Sequence, residues 1–328
     1  MDNRQSDIQG LISAYVMDGR GGGQKVNWED VEGWRPEAGI LWLHLEGDSP
    51  ITEQWLRDKS GLDEIVCDVL IREAVRPRSI QLDDGLLTVL RGINFNRKED
   101  PEDMVSVRVY LDSHRIITTR LRTVRSIVDI QKALDAAQGP TSSGDFLATL
   151  GRRLVERLSD TIESITTEVD ELEELVVEQQ QYTVGARLSV VRRRIIALRR
   201  HLAPQREALA RVASMQFSFL TEEERHQLND LADQTLQYLE ELASARDRAS
   251  VTLEELNHHS SKQVERRMYM LAVVAGIFLP LTFLTGLLGT NVGGIPGGQS
   301  TWGFLIVSVI MAAILAVQII VFRKLRWL

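Results

Sequence analysis

From Met268 to Phe322 the chain contains no Asp, Glu, Lys or Arg, although both flanks are dense in them. Two apolar runs fill most of that interval, Met268 to Gly289 and Trp302 to Phe322, the second reading "WGFLIVSVIMAAILAVQIIVF". Each is about twenty residues long, which at ~1.5 Å per helical residue matches a hydrocarbon core of ~30 Å. They read as two membrane-spanning helices joined by a short neutral loop, Thr290 to Thr301. Arg266 and Arg267 precede the first span, and Arg323, Lys324 and Arg326 follow the second. The positive-inside rule then puts both termini in the cytoplasm and the loop outside, with Trp302 and Trp327 as interfacial anchors. The opening "MDNRQSDIQG" has no basic segment followed by an apolar one, so no cleavable signal peptide is expected.

Two helices cannot enclose a path for a polar solute. Such a chain is either anchored by its hairpin or builds a pore by assembling copies. A formal net charge of −8 argues against nucleic acid as a partner and suits the handling of cations. The single cysteine, Cys67, lies in an apolar-periodic stretch and reads as a core residue. No P-loop, G-x-G-x-x-G, H-E-x-x-H or G-x-S-x-G motif occurs, so an enzyme is not expected. His44 and His114, on or beside strands and far apart in sequence, read as structural histidines.

Before the spans, two regimes follow each other. Residues Leu11–Met17, Ile40–Glu46, Leu86–Phe95, Val105–Asp112 and Arg115–Arg120 read as strands, with Ile51–Val75 and Val124–Ala137 as helices. This is a small α/β domain. After "GPTSSGD" the pattern turns wholly helical. Leu147, Leu150, Leu154, Leu158, Ile162, Ile165, Val169, Leu172 and Val176 form one stripe, broken by "EQQQYTVG". Leu188, Val191, Ile195, Leu198, Leu202, Leu209 and Val212 form a second, which predicts an antiparallel helical hairpin. The runs "EVDELEELVVE" and "RRRIIALRR" read as solvated faces, with attraction between the two arms as an extra. A third helix starts at a capping box, Thr221 with Glu224, and meets no Pro or Gly before Gly276. It is expected to run unbroken from the cytoplasm into the membrane, with Pro280 inside the span.

The expected division is therefore a cytoplasmic α/β domain over 1–143 and a helical hairpin over 144–220. A long helix over 221–289 includes the first span, 268–289. The extracytoplasmic loop over 290–301, the second span over 302–322 and a basic tail over 323–328 complete the chain.

Walking back from Gly289 by sevens gives Thr282, Ala275, Met268, Ser261, Glu254, Asp247 and Glu240. Gly286, Leu279, Leu271, Glu265 and His258 lie between them. In the membrane this face is small, hydroxyl-bearing or moderately apolar; below the membrane it offers carboxylates. Leu228, Leu239, Leu242, Leu253 and Leu256 mark the opposite, packing face. Lining a pore, the first face would give an apolar constriction above an acidic, cation-concentrating vestibule. Adjacent helical residues point about 100° apart, so His258 and His259 of one chain cannot easily share an ion. His258 remains a candidate ligand only if repeated across subunits; a solvent-exposed pair is the plainer reading.

Several stretches carry a resemblance: "LWLHLEG", "RPRSIQLDDGLLTVLRGINFN", "PEDMVSVRVYLD", "HLAPQREALARV", and Gly289-Thr290-Asn291 between two C-terminal spans. On these the chain resembles the CorA superfamily of divalent-cation transporters, in its ZntB-type zinc branch, over nearly its whole length. The resemblance implies a funnel-shaped homopentamer in a bacterial inner membrane, with the first span and its cytoplasmic extension lining the axis. It implies a selectivity filter at Gly289, Thr290 and Asn291, and pore-lining roles for Thr282, Leu279 and Met268. Ala275, Leu271 and Glu265 join these by their place on the stripe. A ring of amide oxygens can hold a divalent ion through its water shell without trapping it. The magnesium branch has methionine where Thr290 stands, and the following "VGGIPGG" is similar to the zinc branch. Zn2+ is thus the expected cargo, with Co2+, Ni2+, Cd2+ and Mg2+ as further candidates and no prosthetic group. Direction of transport and coupling to protons stay open. The alternative is a membrane-anchored, metal-responsive structural or signalling module without transport.

Overall fold

The computed structural model describes residues 10–72, 76–177, 181–290 and 301–324. It divides into two compact units, Met1–Leu253 and Glu254–Leu328.

The first unit is built on a seven-stranded mixed sheet. The strands are β1 (Leu11–Met17), β2 (Gly23–Val26), β3 (Ile40–Glu46), β4 (Arg78–Leu82), β5 (Gly85–Gly92), β6 (Val105–Leu111) and β7 (Arg115–Arg120). Their spatial order is β2-β1-β3-β7-β6-β5-β4. Only β3 and β7 run parallel; the other neighbours are antiparallel. The interior strand β3, "ILWLHLE", is nearly continuously apolar because both its faces are covered. Leu41, Leu43 and Leu45 join a core with Leu56, Val66, Cys67 and Leu70 from helices α2 (Pro50–Asp58) and α3 (Glu64–Ile71). Trp42 points the other way, stacking on Tyr15 at 5.7 Å and meeting the Phe146 ring edge at 4.9 Å.

His44 is buried beside Trp42, and its Nδ1 lies 2.9 Å from the Thr118 hydroxyl. Burial, helped by the nearby Arg120 charge, pushes its pKa down to about 3, so the ring is neutral and structural. Cys67 is likewise a buried core residue, its thiol pushed up by burial.

The single helix expected over Ile51–Val75 is two. Lys59 and Ser60 amides both return to the Trp55 carbonyl, at 2.9 and 3.0 Å, and Gly61 adopts φ +68. Asp63 then caps α3 by accepting from the Ile65 amide at 3.0 Å. A left-handed glycine and a fresh N-cap end one helix and start another, although the apolar period continues across the break. Residues 73–75, where the expected helix would have ended, lie outside the described residues. Sequence reading also passed over α1 (Trp28–Gly33), closed by an Asn27–Asp30 capping box, and the edge strands β2 and β4. Strand β5 stops at Gly92, short of Phe95.

Helix α4 (Arg125–Asp135) leads to α5 (Ser143–Val177) and α6 (Gln181–Ser214). Both predicted stripes are buried from Leu147 to Leu172 and from Leu188 to Val212. Of the expected break at "EQQQYTVG", residues 178–180 lie outside the described residues and Gln181–Gly185 belong to α6. The arms do attract, since Glu168 meets Arg194 at 2.7 Å and Arg187 at 3.5 Å. Asp170 and Glu173 instead meet Arg248 of the next helix, α7 (Glu222–Leu288). The capping box at the start of α7 forms: the Thr221 amide donates to Glu224 at 2.7 Å and the Glu224 amide to the Thr221 hydroxyl at 3.3 Å. Leu228, Leu239 and Leu242 are buried, which leaves Glu240 and Asp247 on the exposed side.

Candidate functional site

The second unit contains the rest of α7 and a final helix, α8 (Gly303–Lys324). Both α7 and α8 are long and apolar enough to cross a membrane. Within the α7 span the least exposed positions are Val273, Gly276, Ile277, Leu281 and Leu284, at helical spacing. On α8 they are Gly303, Val307, Met311, Ile314, Gln318 and Phe322. The two seams meet at Gly276. A Cβ placed there would lie 2.9 Å from the Phe322 ring, and the Gln318 amide reaches the Gly276 carbonyl at 3.4 Å.

The stripe singled out from sequence lies half a helical turn away from this seam. Met268, Leu271 and Leu279 are 65%, 70% and 67% exposed, against 8% for Val273. Ala275 and Thr282 are exposed with them, as are Glu265, His258 and Glu254 nearer the N-terminal end of this unit. The residues named as pore-lining therefore share a face that the described residues of their own chain leave exposed. In the first unit, Glu240 is exposed, and Asp247 is exposed but ion-paired with its neighbour Arg246 at 2.7 Å. No cluster of three or more His, Cys, Asp and Glu side chains that could hold a metal forms among the described residues, His258 included.

The end of α7 has a specific construction. The Gly289 amide donates to the Thr285 carbonyl at 2.9 Å, and a Cβ on Gly289 would lie 2.8 Å from that same oxygen. Glycine is the residue that permits this close approach. The Thr290 hydroxyl donates to the Leu287 carbonyl at 2.9 Å. It thereby satisfies one of the last-turn carbonyls that a helix end leaves without an intrahelical partner. Asn291 lies outside the described residues, as do Arg326 and Trp327. Sequence reasoning named Gly289 and Thr290 but missed what the Thr290 hydroxyl does. It also missed the seam, for which the signal was the spacing of Gly303, Val307, Met311, Ile314, Gln318 and Phe322.

An α/β domain followed by long helices, with two C-terminal helices long and apolar enough to cross a membrane, defines the class by architecture: a candidate membrane protein with a large N-terminal domain and a C-terminal helical hairpin. The comparisons narrow the class. The family of CorA-like Mg2+ transporter proteins matches residues 37–324, and the chain belongs to that family. It is 40% identical over 326 residues to the divalent cation transporter CmaX of Pseudomonas aeruginosa, covering 98% of both chains. The zinc transport protein ZntB of Yersinia pseudotuberculosis is 32% identical over 328 residues, with 100% of this chain and 99% of that protein covered. The structure of full-length CmaX superposes with a TM-score of 0.85 at 38% identity, over 99% of this chain and 100% of that one. Family membership makes this a metal-ion transport protein of the CorA type and not an enzyme.

Proposed function

We propose that the protein carries Zn2+, and with it other divalent ions such as Co2+, Ni2+, Cd2+ or Mg2+, through the axial pore of a homopentamer in a bacterial inner membrane. Both termini lie in the cytoplasm. The observation that carries this reading is the exposed stripe of α7, set opposite the seam with α8. A helix that packs one face on its neighbour span and leaves the other to small and apolar residues suits a ring in which that face surrounds the axis. Five copies would bring Leu271, Ala275, Leu279 and Thr282 to a narrow, weakly binding conduit that gates by dewetting. Glu254, Asp247 and Glu240 follow in the same heptad register, with Glu265 between Met268 and Ser261, and these carboxylates would draw cations toward it.

The filter is assigned to Gly289, Thr290 and Asn291. Divalent ions release their water reluctantly, and a ring of neutral amide oxygens holds the hydrated ion without trapping it. Zinc is chosen over magnesium on the ZntB relative and the "VGGIPGG" segment, not on ligand softness, since the filter offers no thiolate or imidazole. The test is Zn2+ uptake into proteoliposomes, with and without a pH gradient, for the wild type and Asn291→Ala. We expect wild-type uptake, accelerated by the gradient if protons are coupled, and a fall of about tenfold or more in the variant, equivalent to at least ~1.4 kcal/mol at the barrier. A folded pentamer without flux overturns the transport reading; equal flux in the variant overturns the filter assignment.

A further inference from the structure

Pro280 lies in the interior of α7, within the span. A proline has no N–H, so the helix cannot form the bond that residue 280 would otherwise donate to the carbonyl four positions back. That carbonyl belongs to Gly276. In hydrocarbon no water can replace the missing donor, and an unmet backbone group must be satisfied from within the protein. The donor here comes from the other span: Gln318 Nε2 lies 3.4 Å from the Gly276 oxygen. Gln318 is the only amide side chain on α8, whose other positions are apolar apart from Ser308 and the terminal Arg323 and Lys324. The Ser308 hydroxyl is spent on its own helix, donating to the Phe304 carbonyl at 2.9 Å.

The surroundings are shaped for this contact. Gly276 has no side chain to shield its carbonyl, and the Phe322 ring occupies the space a Cβ would take, at 2.9 Å. Gln318 Oε1 is buried with no partner among the described residues, so the side chain holds its place through the nitrogen alone. Exchanging the two amide atoms would set Oε1 against the Gly276 oxygen, two acceptors facing each other, so the hydrogen bond fixes the orientation.

We propose that Gln318 is a positioning residue. It returns to the first span the hydrogen bond that Pro280 removes, and so locks the proline-containing turn of α7 against α8. The lock goes beyond the transport reading and stands without it, because its signature is in folding. A packing role for Gln318 and a donor role make different predictions. Methionine has the same length and no donor, so it keeps the packing and removes the bond. Alanine at position 280 restores an N–H to the Gly276 carbonyl and makes the donor from α8 unnecessary.

The experiment is a double-mutant cycle on the full-length protein in micelles, read as reversible unfolding. We expect Gln318→Met to lower the folded-to-unfolded ratio roughly three- to twenty-fold in the Pro280 background, the range of interhelical hydrogen bonds in membranes. In the Pro280→Ala background the same substitution should change the ratio by less than about twofold. If Pro280→Ala does not fold, Pro280→Gly supplies the same N–H and takes its place in the cycle. Equal losses in the two backgrounds, or no loss in either, overturn the proposal. Flux has no part in this readout, so a protein that carries no ion still decides it.

Discussion

His44 shows how much a single buried group can dictate. It sits on the interior strand β3 with its ring near Trp42 and its Nδ1 on Thr118, and burial holds its pKa at about 3. The folded value is below the unfolded one of ~6.5, so the unfolded chain binds a proton that the folded domain refuses. Stability from this group is fully present above about pH 6.5 and declines as pH falls toward 3, by at most ~1.4 kcal/mol per pH unit. Denaturant titration of the protein at pH 7 and pH 5, followed by tryptophan fluorescence, should show a lower midpoint at pH 5. His44→Gln should remove part of that difference. A pH dependence identical in the variant would show that His44 does not contribute. The sequence set this histidine apart from a metal ligand because it lies on a strand, far in sequence from His114. The partner, Thr118, was not legible, because it comes from β7, seventy-four residues on.

At the scale of elements, the end of α7 carries the clearest consequence. The Thr290 hydroxyl closes on Leu287, so it holds the last turn in place beside the Gly289 that the motif supplies. Thr290→Ser keeps the donor and should behave as wild type. Thr290→Val keeps the shape and should destabilise the helix end by about 1 kcal/mol, the net value of one such bond. Faster amide exchange at Leu288 and Gly289 in the valine variant alone is the expected measurement; equal exchange in both would remove the cap from the account. The long helices were legible because their apolar period persists over many turns, and the exposed face of the α7 span could be named by counting back from Gly289 in sevens. The edge strands β2 and β4 were not. "GQKV" shows no apolar alternation, and "RSIQL" is so short that Ile80 and Leu82 alone carry its alternation, while only Ser79 is fully buried. The break at Gly61 was hidden for the opposite reason: Leu56, Val66 and Leu70 keep a helical rhythm across it, and the turn is set by one positive φ. The contact of Gln318 with Gly276 was invisible because it depends on which turns of two helices face each other.

For the whole molecule the account rests on a division of labour around α7. One side of its span is the less exposed, with Val273, Gly276 and Ile277, and meets α8 at Gly276; on the other side Leu271, Ala275, Leu279 and Thr282 are exposed among the described residues. Membership of the CorA-like family supplies the setting in which that second side has a use. The most direct test is cysteine accessibility during transport, in a Cys67→Ser background reconstituted into vesicles. Single cysteines replace Leu279 and Thr282 on the stripe, and Val273 and Ile277 on the seam. A small, water-soluble, positively charged thiol reagent is added while Zn2+ flux is recorded. Flux should stop for Leu279→Cys and Thr282→Cys and continue for Val273→Cys and Ile277→Cys. Block at the seam positions with none at the stripe would contradict it.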